Sequence, residues 1–197
     1  MVFLRSVSSD FGPSVYADGI RLRAPQTADY AAWAELRARS RAFLTPWEPT
    51  WPSDDLTRTS FRRRIRRYVQ EIREDLSYPF FAFSEETGDL LGGITLGNVR
   101  RGVTQSAAMG YWIGEPHANQ GFMSLIVPAI TEFAFSRLRL HRVEAACLPT
   151  NQASIRLLEK SGFTQEGYAR RYLCINGAWQ DHLLYAMVHD DPRLLAR

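Results

Sequence analysis

The chain has 197 residues, 45% of them hydrophobic and 23% charged, with a formal net charge of +3. That length suits a single domain spanning 1–197 with a sizeable core, and the composition excludes disordered and fibrous classes. No apolar run is long enough to cross a bilayer, and Met1-Val-Phe-Leu-Arg-Ser6 lacks a secretory pattern, so the expectation is a cytoplasmic protein with no membrane partner.

Ile20-Arg-Leu-Arg23 alternates apolar and polar residues and reads as a first strand. Thr27 to Arg41 follows as an alanine-rich helix with Thr27 as its N-cap. The stretch Phe43 to Pro52 carries three prolines and is expected to be an irregular loop bearing Trp47, Glu48 and Trp51. Ser53-Asp-Asp55 is expected to cap the next helix, in which Phe61, Ile65, Ile72 and Leu76 recur at helical spacing. The arginines from Arg62 to Arg67 then fall on its outer faces. A solvated face is the plainer reading of them and an RNA-facing patch the sharper one; direct nucleic-acid binding is disfavoured, because only Lys160 among the 24 basic residues is not arginine, a skew that points to genomic bias.

Tyr78 to Phe83 and Leu90 to Val99 read as a hairpin, and Ser106 to Ile113 as the next strand. A helix from Gly121 to about Leu138, a strand Arg142 to Cys147, and a helix Asn151 to Lys160 ended by Ser161-Gly162 follow. Phe163 to Cys174 and Ala178 to Val188, joined at Asn176-Gly177, form a closing hairpin. Antiparallel hairpins with one strand–helix–strand crossover give an α+β fold with helices on both faces of a mixed sheet. Cys147 and Cys174, both in apolar strand-like surroundings, read as two buried free thiols of a reducing compartment. His117 and His141 are isolated, so no metal site is implied.

The richest segment is Gly110-Tyr-Trp-Ile-Gly-Glu-Pro-His-Ala-Asn-Gln-Gly121, which runs into the apolar pattern from Phe122 to Phe133. A strand ends in a polar turn, and a glycine opens a helix. The first N–H groups of that helix lack intrahelical partners and carry the positive end of its dipole, so a diphosphate suits the site. An ordinary strand–turn–helix is the plainer alternative, since neither a Walker loop nor G-x-G-x-x-G is present.

Taken together, this turn, Asn151-Gln-Ala-Ser154 with Gly162-Phe163 downstream, and Asn176-Gly-Ala-Trp179-Gln-Asp-His182 resemble the GNAT superfamily of N-acetyltransferases. Within it the chain is similar to the branch that acetylates the N-terminal alanine of ribosomal proteins, over Ile20 to Met187. The family's turn is written Gln/Arg-x-x-Gly-x-Gly/Ala; here Ala118 and Met123 depart from it, and Gly121 alone matches strictly. The resemblance implies acetyl-CoA as cosubstrate and no metal. It implies a diphosphate cradle at Gln120, Gly121, Phe122, Met123 and Ser124, strand backbone at Tyr111, Trp112 and Ile113 along the pantetheine arm, and Asn151 holding that arm or capping its helix.

Transfer of acetyl to an amine needs a neutral nucleophile, and an α-amine, with a pKa of about 7.7–8.0 against roughly 10.4 for lysine, lowers the demand for a strong base. Many relatives place a proton-donating tyrosine where this chain has Leu158, so Ser154 is the expected donor, with Tyr168 and Tyr172 as alternatives. For the acceptor side the carboxylate of Glu48, beside Trp47, is expected to receive the ammonium and take its proton, with Glu115, Asp181 and His182 as further candidates. The expected acceptor is a protein N-terminus, a ribosomal protein leading, and the expected assembly a monomer or homodimer. A small amine such as a polyamine or aminoglycoside is the alternative acceptor, and a non-catalytic acyl-CoA sensor the alternative class.

Overall fold

The computed structural model describes residues 12–191; the reading of Met1–Ser6 lies outside them. One eight-stranded sheet runs through the molecule in the order β1-β2-β3-β4-β5-β6-β8-β7. The strands are β1 (Ser14–Ala17), β2 (Ile20–Arg23), β3 (Tyr78–Ser84), β4 (Leu90–Arg100), β5 (Ser106–Ile113), β6 (Arg142–Cys147), β7 (Thr164–Ile175) and β8 (Ala178–Val188). Every neighbouring pair is antiparallel except β5 and β6, which are parallel. Parallel neighbours need a crossover, and the helix α4 (Phe122–Ser136) supplies it. The remaining helices are α1 (Tyr30–Arg39), α2 (Arg41–Leu44), α3 (Arg58–Arg73) and α5 (Gln152–Lys160). This is the mixed, mostly antiparallel α+β architecture that the sequence predicts.

Strand alternation splits the core between the two faces. On β3, Phe80 and Ala82 join the larger cluster beneath α4 and α5 with Ile126, Ile130, Val143 and Leu158. Phe81 and Phe83 point the other way, to Trp33, Leu36, Phe61 and Ile65 of α1 and α3. The same rule on β5 sends Met109, Tyr111 and Ile113 to the first cluster and Trp112 to the second.

Several boundaries differ from expectation, each for a local reason. Ser14–Ala17, half-exposed at the sheet edge, is a strand that carries too little apolar pattern to announce itself. Thr27 is not an N-cap; it opens a 3-10 turn, Thr27–Asp29, whose capping box is made by Gln26 and Asp29, and the α-helix proper begins at Tyr30. The proline-rich stretch is more ordered than a loop, since α2 is followed by a 3-10 turn over Thr45–Trp47 in which Pro46 sits at a tolerated first-turn position. Thr57, not Ser53-Asp-Asp55, caps α3 by accepting from the Ser60 N–H, while Asp54 and Asp55 pair with Arg63 and Arg64, each nine residues on. Cys147 is buried but Cys174 is exposed, because β7 is an edge strand with one open face.

One glycine marks how tightly the layers meet near the turn after β5. A Cβ at Gly114 would lie 2.4 Å from Leu36 Cδ1, and Ser40 Oγ accepts the next N–H, of Glu115, at 2.9 Å. Gly114→Ala is therefore expected to destabilise the fold by about 1–3 kcal/mol through overpacking. A thermal melt indistinguishable from the parent's would show that α1 can retreat freely.

Candidate active site

The β5–β6 ladder stops early. Its last pair is Met109 with Ala145, yet β5 continues to Ile113 on the β4 side, and Ala146 and Cys147 of β6 pair only with β8. The backbone of Gly110–Ile113 therefore has no strand partner on its β6 side, and the sheet opens there like a wedge. A cleft of about 370 Å³ occupies this opening.

Three elements wall the cleft. From β5 come Tyr111, Trp112 and Ile113; from the turn and the start of α4 come Asn119, Gly121, Phe122, Met123 and Ser124; from the start of α5 come Asn151, Ala153, Ser154 and Leu157. Phe43, Leu44, Trp47 and Glu48 close the remaining side. A second, more open groove of about 580 Å³ adjoins it, lined by Pro46, Leu148, Tyr168, Arg171, Trp179 and Asp181 among others, and Trp47 and Thr150 line both.

Gly121 is the N-cap of α4 at φ +86°, a left-handed conformation that side chains resist, and no side chain caps the helix. A Cβ built there meets nothing within 4 Å. The glycine thus faces open cleft, beside N–H groups that the helix geometry leaves without internal partners. The Gln120 side chain does not line the cleft; its Nε2 donates to the Pro116 carbonyl at 2.7 Å, pinning the turn.

Asn151 caps α5, its Oδ1 accepting from the Ser154 N–H at 3.1 Å. The Ser154 hydroxyl lies 2.6 Å from that of Tyr111. Burial pushes the Tyr111 phenol far above its ordinary value, with Cys147 and Tyr185 adding to the rise and only the Ser154 hydrogen bond opposing it, so it stays protonated. Burial also raises the Cys147 thiol beside them. Leu158 is fully buried in the core beneath α5, pointing away from the chemistry. Sequence reading placed Tyr111 only as backbone along the strand; its pairing with Ser154 joins residues 43 apart and leaves no local signature.

The expectation of a free carboxylate at Glu48 is corrected. Its Oε1 and Oε2 accept from Arg37 Nη1 and Nη2 at 2.7 and 2.6 Å, and Oε2 also accepts from Trp51 Nε1 at 2.8 Å. The Arg37 guanidinium is itself buried, stacked 4.0 Å from the Trp51 ring and 5.0 Å from that of Trp112. Glu48 thus braces the wall of the cleft, and its carbonyl accepts from the Asn176 N–H at 2.9 Å to tie in the β7–β8 turn. Both carboxylate oxygens are thus engaged within the wall by Arg37 and Trp51 and are not presented to an acceptor.

Tyr172 lies on exposed β7, stacked edge-on against His182 at 5.8 Å, and lines neither cleft. His182 is buried with Nδ1 bonded to the Gln180 carbonyl, whereas Asp181 reaches the outer groove and accepts from the Arg171 N–H and the Tyr168 hydroxyl. Among the described residues no group of three His, Cys, Asp or Glu is placed to hold a metal, and no helix is long and apolar enough to cross a membrane.

The family model for the acetyltransferase (GNAT) domain matches residues 20–164. This chain belongs to the GNAT acetyltransferase family. It is an acetyl-CoA-dependent N-acetyltransferase, which sets aside the non-catalytic sensor. Among its relatives, this GNAT enzyme is 35% identical over 79% of its length to the probable N-acetyltransferase YjcK of Bacillus subtilis, covering 86% of that protein. It is 30% identical to the ribosomal protein uS5-alanine N-acetyltransferase of Escherichia coli, over 91% of this chain and 93% of the other. Among solved structures, RimJ of Mycobacterium smegmatis in complex with CoA-disulfide superposes with a TM-score of 0.85 at 31% identity, over 93% and 92% of the two chains.

Proposed function

We propose that this acetyltransferase modifies the α-amine of a protein N-terminus, with alanine and serine termini of ribosomal proteins as the leading acceptors. The observation that carries the reading is the pair of adjoining clefts. The inner one lies where the sheet splits, and the outer groove, sharing Trp47 and Thr150 with it, lies between the proline-rich segment and the β7–β8 hairpin. An open groove of that kind suits an extended chain whose first amine reaches inward. The similarity to the uS5-alanine enzyme supports the same class of acceptor.

Acetyl-CoA fits the inner cleft on the molecule's own terms. The uncapped start of α4 at Gly121–Ser124 offers N–H groups and helix-dipole charge to a diphosphate, with an empty approach over Gly121. The unpaired edge of β5 at Trp112 and Ile113 offers strand-like hydrogen bonds to the amides of the pantetheine arm. Asn151 fixes the start of α5 beside that arm, and Gln120 holds the turn in shape. The thioester supplies an activated acyl group for direct attack, without a covalent enzyme intermediate. Ser154 is the group placed to protonate the leaving sulfur, and the acceptor loses its proton to water, as its modest pKa allows.

A polyamine site would need several free carboxylates. The two that line these clefts, Glu48 and Asp181, are both engaged, by Arg37 and Trp51 and by Tyr168 and Arg171. Cytoplasmic work as a monomer or homodimer accompanies the proposal. Thiol release from acetyl-CoA should be faster with peptides beginning in alanine or serine than with the same peptides N-terminally blocked and carrying lysine, or with spermidine. Faster turnover of spermidine or of the blocked peptides would overturn the acceptor assignment.

A further inference from the structure

We infer that Tyr111 is a positioning residue for acetyl transfer, holding the Ser154 hydroxyl so that the serine proton is presented to the departing sulfur. The inference rests on Ser154 being the proton donor.

Tyr111 sits two residues past the last β5–β6 pair, on the face of β5 that turns toward α5, so it reaches across the mouth of the split sheet. Its hydroxyl meets Ser154 Oγ at 2.6 Å, and both side chains line the inner cleft. A phenol is a better hydrogen-bond donor than an aliphatic alcohol, so between two neutral hydroxyls the favoured arrangement has Tyr111 donating and Ser154 accepting. Burial keeps the phenol protonated, which preserves that direction. The Asn151 cap holds the Ser154 backbone and the Tyr111 bond holds Oγ, leaving the hydroxyl one remaining freedom, the direction of its own proton. Cys147 also interacts with Ser154, but burial keeps its thiol protonated, and a neutral thiol is a weak acceptor. The serine proton is therefore left to the cleft.

In the reaction the acceptor nitrogen forms the new bond to the acetyl carbon, and the C–S bond breaks with its electron pair on sulfur. Ser154 gives that sulfur a proton, and Tyr111 stabilises the partial negative charge that builds on Oγ as it does so. The nitrogen's surplus proton leaves to water, from which Ser154 is reprotonated, so the enzyme returns unchanged.

The test is a cycle of Tyr111→Phe, Ser154→Ala and the double variant, with kcat and acetyl-CoA KM measured for each. Ser154→Ala should lower kcat by about 100-fold, the lower end for a general acid. Tyr111→Phe should lower kcat by about tenfold with KM little changed, and adding it to Ser154→Ala should change nothing further. Unchanged kcat in Ser154→Ala overturns the donor reading and Tyr111's part with it. A loss in Ser154→Ala alongside unchanged kcat in Tyr111→Phe, or additive losses in the double variant, overturns the Tyr111 inference alone. Should Tyr111→Phe not fold, 3-fluorotyrosine at position 111 keeps ring and hydroxyl while altering phenol acidity. A changed kcat there supports the coupling to Ser154, and an unchanged one overturns it.

Discussion

In the Gly121→Asp variant, affinity for coenzyme A falls by at least about 100-fold, or about 2.7 kcal/mol, while the protein remains folded. The two halves of that expectation have separate origins. Gly121 adopts φ +86°, yet a Cβ there touches nothing within 4 Å, so packing is not disturbed. Aspartate is among the few residues that visit the left-handed region, at a cost of roughly 1–2 kcal/mol, and its carboxylate at the start of α4 regains part of this from the helix dipole. The gain for the helix is the loss for the ligand. The carboxylate takes the N–H groups and the positive field that a diphosphate would use, and a unit charge within about 5 Å of another costs on the order of 3 kcal/mol at the effective dielectric of a protein surface. Titration calorimetry with coenzyme A beside a thermal melt reads both. Unchanged affinity in the folded variant would place the diphosphate elsewhere. Gly121→Ala separates charge from backbone, since it carries the conformational cost alone and should lose much less affinity.

What could be read in the sequence was what local patterns encode. Asn151 three residues before Ser154 is a capping signal, and the bond from the Ser154 N–H follows from it. Asn176 and Gly177 both have positive φ, as a tight hairpin turn demands, in keeping with the closing hairpin expected at Asn-Gly. The caps of α1 and α3 were harder, because several polar residues stand in a row before each helix and only the backbone path decides which one closes it. Contacts between distant segments were not legible at all. Tyr111 and Ser154 lie 43 residues apart, and Arg37 and Glu48 lie 11 apart across the break between α1 and α2. Nothing in Pro46-Trp-Glu-Pro49 says that its carboxylate will turn back on a buried arginine instead of facing the acceptor. The early end of the β5–β6 ladder is likewise a property of how two strands diverge, not of either one's residues.

That arginine makes Glu48 the position where the next large effect is expected, and the effect is on stability first. Arg37 has a side chain 9% exposed and Glu48 one 19% exposed, so the pair is largely withdrawn from water. Glu48→Ala leaves the guanidinium buried between Trp51 and Trp112 without its carboxylate, and Nε already has no hydrogen-bond partner among the described residues. Breaking a buried pair from one side costs about 3 kcal/mol, which for a chain of this size lowers the melting temperature by roughly 6–12 °C. Removing both charges together, as Arg37→Met with Glu48→Leu, should cost less than Glu48→Ala alone, since no orphaned charge remains. The functional consequence follows from where the brace sits. Glu48 anchors the segment that carries Trp47, and Trp47 walls both clefts. Glu48→Gln, which keeps the shape but weakens the hold on Arg37, should therefore raise the KM for an N-terminal peptide severalfold and leave affinity for coenzyme A, for which the proposed site is the far wall over Gly121, close to that of the parent. A melting temperature in Glu48→Ala within about 2 °C of the parent, under 1 kcal/mol by the same conversion, would show that Arg37 finds water and that the brace is not structural. A peptide KM in Glu48→Gln that stays put while kcat falls would instead return Glu48 to the proton transfer, since loss of a base acts on the transition state and not on acceptor binding.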